Sequence, residues 1–545
     1  MVEQEFQQKT KALIDSLKSI CANYGLGNDG NEFKIITQIF LYKFLNDKFA
    51  YEAKKINPSI ARAEKWEEAL SAMNEGDFDM LQLRLGPDTA CLKPIHFINY
   101  LFSQQNTPDF AKLFDDTLMD IAISNNDVFA VKTDGGAKVV LFDRLSQYIA
   151  DESKRDNFCR AIINKLVEFS FERIFTQKFD FYATIFEYLI KDYNSNSGGK
   201  YAEYFTPHAV ARIMAEILVP KTQQGHIKNV SVYDPSAGSG TLLMNVAHAI
   251  GENRCSIYTQ DISQKSSNLL RLNLILNNLV HSIPHVIQGN TLLHPYHKDG
   301  GELKHFDYIV SNPPFKLDFS DYRNELDTKT NKQRFFAGIP KIKAKATDKM
   351  EIYQLFLQHI IYALSPGGKA AVVVPTGFIT AQSGIDKGIR EHLVKHRMLA
   401  GVVSMPSNIF ATTGTNVSIL FIDAGNKDKV VLIDASNLGE KIKDGKNQKT
   451  VLKPEEEQRI IDVFNAKQVE EDFSVVVSYD DIAAKNYSLS AGQYFDVKIE
   501  YVDITPEEFA AKMKGFSDNL DSLFSQSREL EAGIKKQLAE LKHGY

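Results

Sequence analysis

The chain has 545 residues and a formal net charge of −6, with 43% hydrophobic and 24% charged residues. This length and composition favour a globular protein of several domains and exclude a fibrous or disordered chain. No segment approaches the roughly 20 apolar residues that span a bilayer, and the polar, acidic N-terminus is unlike a signal peptide, so we expect a cytoplasmic protein of prokaryotic type without a membrane partner.

Residues 1–165 are predicted to form a helical N-terminal domain. In segments 33–55 and 158–175, apolar residues recur every three or four positions, which is the spacing of a helix with one buried face. The segment 194–200, Asn-Ser-Asn-Ser-Gly-Gly-Lys, is rich in turn-forming residues and indicates a break before the next elements.

A second domain is predicted over residues 166–430, where short apolar runs alternate with helical patterns. Such alternation is typical of a mostly parallel sheet with helices on both faces. The clearest helical patterns cover 267–279 and 353–364. The predicted strands are 230–234, 256–261, 285–289, 306–311, 370–375, 399–405 and 417–423.

The third region, residues 431–545, ends in a charged helix with an apolar stripe. The stripe advances by three and four residues, as in a coiled coil, with Ser527 filling one gap. Either this stripe packs on its own chain or it docks on a partner, and the sequence leaves both interpretations open. Its members are Phe509, Met513, Phe516, Leu520, Leu523, Leu530, Ile534, Leu538 and Leu541.

The first chemical motif is the glycine-rich segment 234–241, Asp-Pro-Ser-Ala-Gly-Ser-Gly-Thr, between a predicted strand and a predicted helix. Its glycines allow a tight turn and close approach of a ligand, and the helix N-terminus presents free amides. The segment lacks the third glycine of a dinucleotide fingerprint and the Gly-Lys-Ser/Thr ending of a P-loop, which argues against NAD and ATP. Asp261 ends the next strand, where a carboxylate can bind a ribose or simply cap a helix.

The second motif is Asn312-Pro313-Pro314-Phe315, which follows the predicted strand 306–311. Ligands of open α/β sheets bind beyond the carboxyl ends of the strands. Because two prolines fix φ, the Asn312 oxygen and a backbone carbonyl can be held to accept both N–H donors of an exocyclic amine. Phe315 can stack on a planar ring. Alone the motif could be a rigid turn, but beside a glycine-rich turn it indicates an amine-binding site.

Together with the segment 203–208, Glu-Tyr-Phe-Thr-Pro-His, these motifs resemble those of the gamma-type DNA N6-adenine methyltransferases. The whole chain resembles the modification (M) subunit of Type I restriction-modification systems, through these motifs, the segments 367–379 and 486–495, and the C-terminal helix. The resemblance implies a class I S-adenosylmethionine-dependent methyltransferase fold, Rossmann-like. It also implies site-specific N-methyltransferase activity on adenine, which would protect host DNA by DNA methylation.

The resemblance also assigns roles to individual residues. Asn312 and Pro313 would accept hydrogen bonds from the target amine, Pro314 would fix the turn, and Phe315 would stack on the extruded base, so that no metal is required. Asn290 stands where the family often has an aspartate at the cofactor adenine. The residues implied to bind S-adenosylmethionine are Glu203, Tyr204, Phe205, Thr206, Pro207, His208, Asp234, Ser236, Ala237, Gly238, Gly240, Thr241, Asp261, Ile262 and Asn290.

The partners implied by the resemblance are double-stranded DNA, a specificity subunit and a restriction or motor subunit, with two modification subunits per complex. The negative net charge agrees with this assembly, because phosphate neutralisation supplies most non-specific DNA affinity and a partner would have to provide much of it. Three alternatives stay open. The chain could methylate a protein amide nitrogen, it could be a mainly structural DNA-clamping subunit, or its target could be cytosine.

Overall fold

The computed structural model describes residues 2–27, 30–172, 175, 206–410, 416–444, 447–495 and 504–540. The chain divides into two compact units, Met1–Tyr494 and Phe495–Tyr545. Within the described ranges, none of the helices combines the length and the apolar character needed to cross a membrane. The turn-rich segment 194–200 lies outside the described residues.

The first part of the chain is helical, as the apolar spacing predicts. Helix α2 is the centre of this part, because 16 of its residues are buried, including the ion-paired Lys43 and Asp47. Helix α9 ends at Val167, earlier than the apolar spacing indicates. The α-helices of this part are α1 (Val2–Asn23), α2 (Gly30–Ile56), α3 (Pro58–Arg62), α4 (Trp66–Ser71), α5 (Glu75–Arg84), α6 (Ile98–Ser103), α7 (Phe110–Ser124), α8 (Asn126–Phe129) and α9 (Glu152–Val167).

All seven predicted strands are present in the structure, and three have the predicted bounds. The fifteen strands of the described residues are β1 (Val131–Thr133), β2 (Lys138–Val139), β3 (Val230–Asp234), β4 (Cys255–Asp261), β5 (Val286–Gln288), β6 (Lys298–Asp299), β7 (Glu302–Leu303), β8 (Phe306–Ser311), β9 (Leu364–Pro375), β10 (Leu399–Ser404), β11 (Val417–Asp423), β12 (Lys429–Asp434), β13 (Glu440–Asp444), β14 (Asn447–Val451) and β15 (Ser474–Ser478).

Eleven of these strands form one sheet in the order β15-β12-β10-β11-β9-β8-β3-β4-β5-β1-β2. Strands β5, β4, β3, β8 and β9 are parallel neighbours, so the expected mostly parallel sheet is confirmed. Strand β11 runs antiparallel to both β9 and β10. An antiparallel connection from β10 to β11 needs no crossover helix. The hairpins β6–β7 and β13–β14 lie outside this sheet.

Helices cover both faces of the sheet. Five consecutive β9 residues, 370–374, are fully buried, which a strand achieves only when both of its faces are packed. The helices of this part are α10 (His208–Leu218), α11 (Thr241–Ile250), α12 (Gln264–Leu276), α13 (Arg323–Leu326), α14 (Tyr353–Tyr362), α15 (Gly377–Thr380), α16 (Gly384–Lys395), α17 (Pro454–Ala466) and α18 (Tyr479–Ala484).

Two short strands from the N-terminal part join this sheet. Thr133 of β1 pairs with Gln288 of β5, and β2 completes an edge hairpin. Three-residue and two-residue strands are too short for an alternating pattern to reveal them. The domain boundaries 1–165, 166–430 and 431–545 stay a prediction.

The second unit contains the helix α19 (Pro506–Glu540), where the apolar stripe predicts one. Each described member of the stripe is more than half exposed, from 51% at Met513 to 67% at Leu530. Leu541 lies outside the described residues.

Candidate active site

The glycine-rich turn connects the end of β3 to the start of α11. Gly238 has φ 52° and Gly240 has φ 84°, which is the left-handed region that glycine enters without strain. A methyl group at Gly240 would overlap the side chain of Leu270 on α12. The backbone conformation therefore favours glycine at Gly240, the residue before the first turn of α11, and a larger side chain would also have to displace the end of Leu270.

Asp234, at the end of β3, links this turn to the second motif. Its Oδ1 accepts hydrogen bonds from the Ser236 backbone N–H at 2.9 Å and from the Ser311 hydroxyl at 3.0 Å. Burial raises the pKa of Asp234 to about 7, and the nearby charge of Asp261 adds to this effect. The carboxylate therefore organises the turn from within the protein, where solvent does not reach it.

Asp261, at the end of β4, faces the same turn. One carboxylate oxygen accepts the Gly238 N–H at 2.9 Å and the other accepts the Ser263 N–H at 2.8 Å. Burial raises the pKa of Asp261 despite these two bonds. An ionised carboxylate offers about four acceptor positions, so both oxygens retain capacity for ribose hydroxyls. The next residue, Ile262, is 65% exposed and presents an apolar surface beside that carboxylate.

Asn290 follows β5 at the same edge of the sheet. Its Oδ1 accepts the backbone N–H groups of Leu292 at 3.0 Å and Leu293 at 3.2 Å, so this oxygen closes its own turn. The preceding Gly289 N–H donates to the Asp261 carbonyl at 2.9 Å, which joins the ends of β4 and β5. Asn290 can therefore offer a ligand its amide N–H groups more readily than its oxygen.

Asn312 follows β8, where the prediction places the amine acceptor. Its Nδ2 donates to the hydroxyl of the buried Thr206 at 3.3 Å. In this orientation the Asn312 Oδ1 remains available as an acceptor, and Asn312 lines the cavity. Pro313 is buried and Pro314 is exposed, so the turn formed by this pair lies at the protein surface, where β8 ends.

Phe315 is half-buried and packs against the main core of the protein. Its ring meets Tyr353 edge to face at a centroid distance of 6.2 Å. The Tyr353 hydroxyl donates to Asp386 at 2.7 Å, which fixes the ring that supports Phe315.

The structure brings the glycine-rich turn and Asn312 together around one small cavity. Asp261, Ile262, Asn290 and Phe315 are not among its lining residues, although the first two adjoin the turn. The lining residues are Thr206, Asp234, Ser236, Ala237, Gly238, Ser239, Thr241, Leu242 and Asn312.

The segment 203–208 is only partly described. Thr206 reaches the cavity, Pro207 is half-buried and His208 is exposed at the start of α10. Glu203, Tyr204 and Phe205 lie outside the described residues, so their predicted cofactor contacts stay predictions.

Sequence reasoning missed two hydroxyls that hold the site together. The Ser311 hydroxyl lies 2.7 Å from the Ser236 hydroxyl and bonds to Asp234, so it ties the two motifs directly. The Thr291 hydroxyl donates to the Pro235 carbonyl at 2.7 Å. Both residues adjoin motif positions, but only the parallel packing of the strand ends shows what they contact.

The described residues contain no group of three or more His, Cys, Asp or Glu side chains that could hold a metal ion. Three of the histidines make local contacts. His281 and His297 bond to backbone carbonyls of Cys255 and Thr259, and His359 lies 3.1 Å from the Tyr233 hydroxyl.

Comparison with known proteins places this arrangement in a family. The model of the family described as N-6 DNA Methylase matches residues 177–501. The Type I restriction enzyme MpnII methylase subunit of Mycoplasma pneumoniae is 29% identical over 373 residues, which are 67% of this chain and 64% of that subunit. The MjaIX methylase subunit of Methanocaldococcus jannaschii is 28% identical over 397 residues, 70% of this chain and 66% of that subunit. The chain thus spans just under two thirds of the length of these two curated relatives.

A solved structure shows the same fold. The methyltransferase subunit of a type I restriction-modification system from Streptococcus thermophilus superposes with a TM-score of 0.70 at 20% identity, covering 91% of this chain and all of that one. Strand order, glycine-rich turn and sheet-edge cavity together define a methyltransferase of class I fold. The matched segment is more than half of the sequence, and the chain belongs to the N-6 DNA methylase family. The predicted resemblance to Type I modification subunits is confirmed.

Proposed function

We propose that this protein is an S-adenosylmethionine-dependent DNA adenine N6-methyltransferase and the modification subunit of a Type I restriction-modification complex. The observation that carries the proposal is the position of Asn312. Its amide nitrogen donates to the Thr206 hydroxyl, and Asn312 lines the same cavity as the glycine-rich turn. A side chain that can accept hydrogen bonds from an amine therefore lies in the same cavity as a glycine-rich turn of the kind that binds nucleosides. This arrangement suits methyl transfer to an amine.

The residues around the cavity fit the proposed cofactor. The Gly238–Gly240 turn brings backbone close to the ligand, and the first residues of α11, Thr241 and Leu242, line the cavity with the positive end of the helix dipole. Asp261 has acceptor capacity left for ribose hydroxyls, and the exposed Ile262 offers an apolar face for the adenine ring. When bound, the cofactor would supply a methyl group on a sulfonium.

The chain's own groups would make the target amine reactive. An exocyclic amine is a poor nucleophile, because its lone pair is delocalised into the base ring. The Asn312 oxygen and the Pro313 carbonyl would accept its two N–H donors, which favours the pyramidal nitrogen of the transition state over the planar ground state. The bond to the buried Thr206 hydroxyl would help to hold the Asn312 side chain at the cavity.

The base must leave the duplex to reach this cavity, at a cost of a few kcal/mol for unstacking and unpairing. Phe315 would offset part of that cost by stacking on the extruded ring, since base–aromatic stacking contributes about 1–3 kcal/mol. Its support by Tyr353 and the core keeps the ring ordered before the base arrives.

The alternatives differ in substrate or in role. Methylation of a protein amide would use the same acceptors, and cytosine presents the same kind of amine as adenine. A mainly structural clamp would have no need of an amide side chain in the cavity of the glycine-rich turn. The matches to methylase subunits of restriction enzymes support DNA adenine over the other substrates.

The substitution Asn312→Ala tests the proposed chemistry. It removes one acceptor of the target amine, and the loss of such a donor or acceptor typically lowers the rate by about 100-fold or more. Methyl transfer to DNA should fall by that factor, whereas calorimetry should show S-adenosylhomocysteine binding unchanged within about twofold. Asn437→Ala, at an exposed turn away from the cavity, is the matched control and should have neither effect. Methylation by Asn312→Ala at the rate of the unmodified protein would show that the cavity is not the amine site.

We propose further that the α19 stripe docks on the specificity subunit, in an assembly that contains two modification subunits, DNA and a restriction or motor subunit. Nine large apolar side chains of α19 are each more than half exposed, a continuous surface that proteins in solution normally cover. With a net charge of −6, the chain has a weak electrostatic basis for holding DNA alone.

Paired substitutions on opposite faces of α19 test the docking. Leu520→Asp with Leu523→Asp places two charges on the stripe and should abolish co-purification with the specificity subunit and site-specific methylation. Ser522→Asp with Ser525→Asp adds the same charge on the opposite face and should leave the complex intact. If both pairs assemble equally well, the stripe is not the docking surface. Native mass spectrometry of the complex counts its modification subunits.

A further inference from the structure

The edge hairpin of the sheet, β1 with β2, places a carboxylate beside the proposed cofactor site. Thr133 of β1 pairs in parallel register with Gln288 of β5, and the Asp134 N–H donates to the Gln288 carbonyl at 2.8 Å. Asp134 therefore follows its strand at the same carboxyl edge as Asp261 and Asn290. Sequence reasoning assigned no role to this residue.

The Asp134 side chain lies directly over the backbone of Gly289. A Cβ atom at Gly289 would come within 2.6 Å of the Asp134 Cβ and still closer to its carboxylate. Gly289 itself donates its N–H to the Asp261 carbonyl. The ends of β4, β5 and β1 thus form one row, with Asp261 at one end and Asp134 at the other.

This row lies beside the glycine-rich turn. The Asp134 carboxylate lies over Gly289, whose N–H donates to the Asp261 carbonyl, and the Asp261 carboxylate accepts the Gly238 N–H of the turn. The exposed Ile262 stands next to Asp261, where an adenine ring would cross the row.

The carboxylate of Asp134 is available to a ligand. It is exposed and makes no hydrogen bond or ion pair with any side chain of the described ranges. By contrast, the Asn290 oxygen already accepts two backbone N–H groups. An amine that approaches this edge would therefore find its acceptor on Asp134.

The hairpin is held firmly to the methyltransferase sheet. The buried guanidinium of Arg271, on α12, donates to the carbonyls of Val139 at 2.9 Å and Val140 at 3.0 Å, and more distantly to Phe129 and Leu141. Burial lowers the pKa of Arg271 to about 10, and no carboxylate bonds to it within the described residues. The guanidinium also donates to the Asn268 side-chain oxygen at 3.1 Å, and its bonds to several backbone carbonyls of the hairpin fix the position of this chain segment.

We propose that Asp134 accepts a hydrogen bond from the 6-amino group of the cofactor adenine, so that the N-terminal part of the chain completes the cofactor site of the methyltransferase sheet. This inference rests on the proposed cofactor. The Asp134 carboxylate would supply the acceptor that the Asn290 oxygen cannot, since that oxygen already accepts two backbone N–H groups. It also explains why Gly289 carries no side chain, since any Cβ there would displace the carboxylate.

Calorimetry on the full chain with two ligands tests the assignment. S-adenosylhomocysteine carries the 6-amino group, and S-inosylhomocysteine carries an oxygen in its place. The unmodified protein should prefer the amino ligand, because a 6-oxo group would face the carboxylate oxygen. Asp134→Ala should weaken S-adenosylhomocysteine binding by about tenfold or more, the usual effect of losing a hydrogen bond to a charged group. It should not weaken S-inosylhomocysteine binding, and should strengthen it where the carboxylate repels the 6-oxo group. Asp88→Ala, at another exposed carboxylate, is the matched control and should alter neither affinity.

Each outcome has one meaning. Equal weakening of both ligands by Asp134→Ala would show that the side chain only supports the turn, and unchanged affinity for both would show that it does not meet the adenine. Either result overturns the assignment. A second variant, Gly289→Ala, should reproduce the selective loss by displacing the carboxylate. If the unmodified protein binds neither ligand, the proposed cofactor itself is wrong, which is a different failure from a change confined to Asp134→Ala.

Discussion

Helices α10 and α19 have similar apolar spacing and opposite environments. On α10, seven of eleven residues are buried, and its side chains pack in the main core with those of α11. On α19, every described apolar member of the stripe is more than half exposed. A helical apolar stripe predicts which face of a helix packs against another surface. Which surface that is depends on the tertiary contacts that the rest of the fold makes.

Isoleucine-to-alanine substitutions on the two helices should give the largest difference in stability. Ile213→Ala on α10 removes a fully buried side chain and should lower the free energy of unfolding by about 2–5 kcal/mol. Ile534→Ala on α19 removes an exposed one and should change it by no more than about 0.5 kcal/mol. Urea unfolding of the full chain measures both. An equal loss in the two variants would mean that the α19 stripe is buried by its own chain in solution.

The buried carboxyl of Asp234 should give the first unit a pH dependence that α19 does not share. Because burial raises the pKa of Asp234 from 3.8 to about 7, the folded protein keeps a proton between these values that the unfolded chain has lost. This group therefore stabilises the fold at about pH 4, and its contribution declines as pH rises to about 7, by at most about 4 kcal/mol.

Asp234→Asn keeps an acceptor and cannot ionise, so the difference between its stability and that of the unmodified protein isolates this carboxyl. Thermal unfolding from pH 4 to 8 should show the difference changing between about pH 4 and pH 7. Parallel stability curves for the two proteins would mean that Asp234 titrates near its ordinary pKa. Asp88→Asn, at an exposed site, provides the reference for removing an acidic group as such.

Glycine-to-alanine substitutions should have opposite signs in the two units. At Gly240, with φ 84° and Leu270 in contact, alanine should destabilise the fold by about 1–3 kcal/mol and weaken S-adenosylhomocysteine binding. At Gly515, inside α19, nothing lies within 4 Å of the position that a Cβ would take. Alanine there should stabilise the helix by about 0.5–1 kcal/mol.

Hydrogen exchange read by mass spectrometry resolves the two effects by segment. Exchange should quicken around 234–250 in Gly240→Ala and slow in 506–540 in Gly515→Ala. Destabilisation by Gly515→Ala would indicate that a close neighbour covers that part of α19.

Much of the site could be predicted from sequence because its motifs are continuous. The glycine-rich turn and Asn312-Pro313-Pro314-Phe315 each follow a strand whose apolar run is visible in the sequence, and parallel strands bring their carboxyl ends to one edge. The bonds from Thr206 to Asn312 and from Ser311 to Asp234 could not be predicted, because they join positions 106 and 77 residues apart. The antiparallel direction of β11 was equally hidden, since an apolar run has no direction.

The sequence by itself determined the family, seven of the eleven strands of the central sheet and the helix that carries the exposed stripe. Each of these features follows from the local periodicity of apolar residues or from a short motif whose residues are adjacent in the chain. Only the tertiary structure decided that residues 131–139 extend the sheet, that Arg271 holds them there, and that Asp134 lies over Gly289. The three-residue strand β1 forms because the edge of β5 supplies its hydrogen bonds, and β5 is more than 150 residues away in the chain.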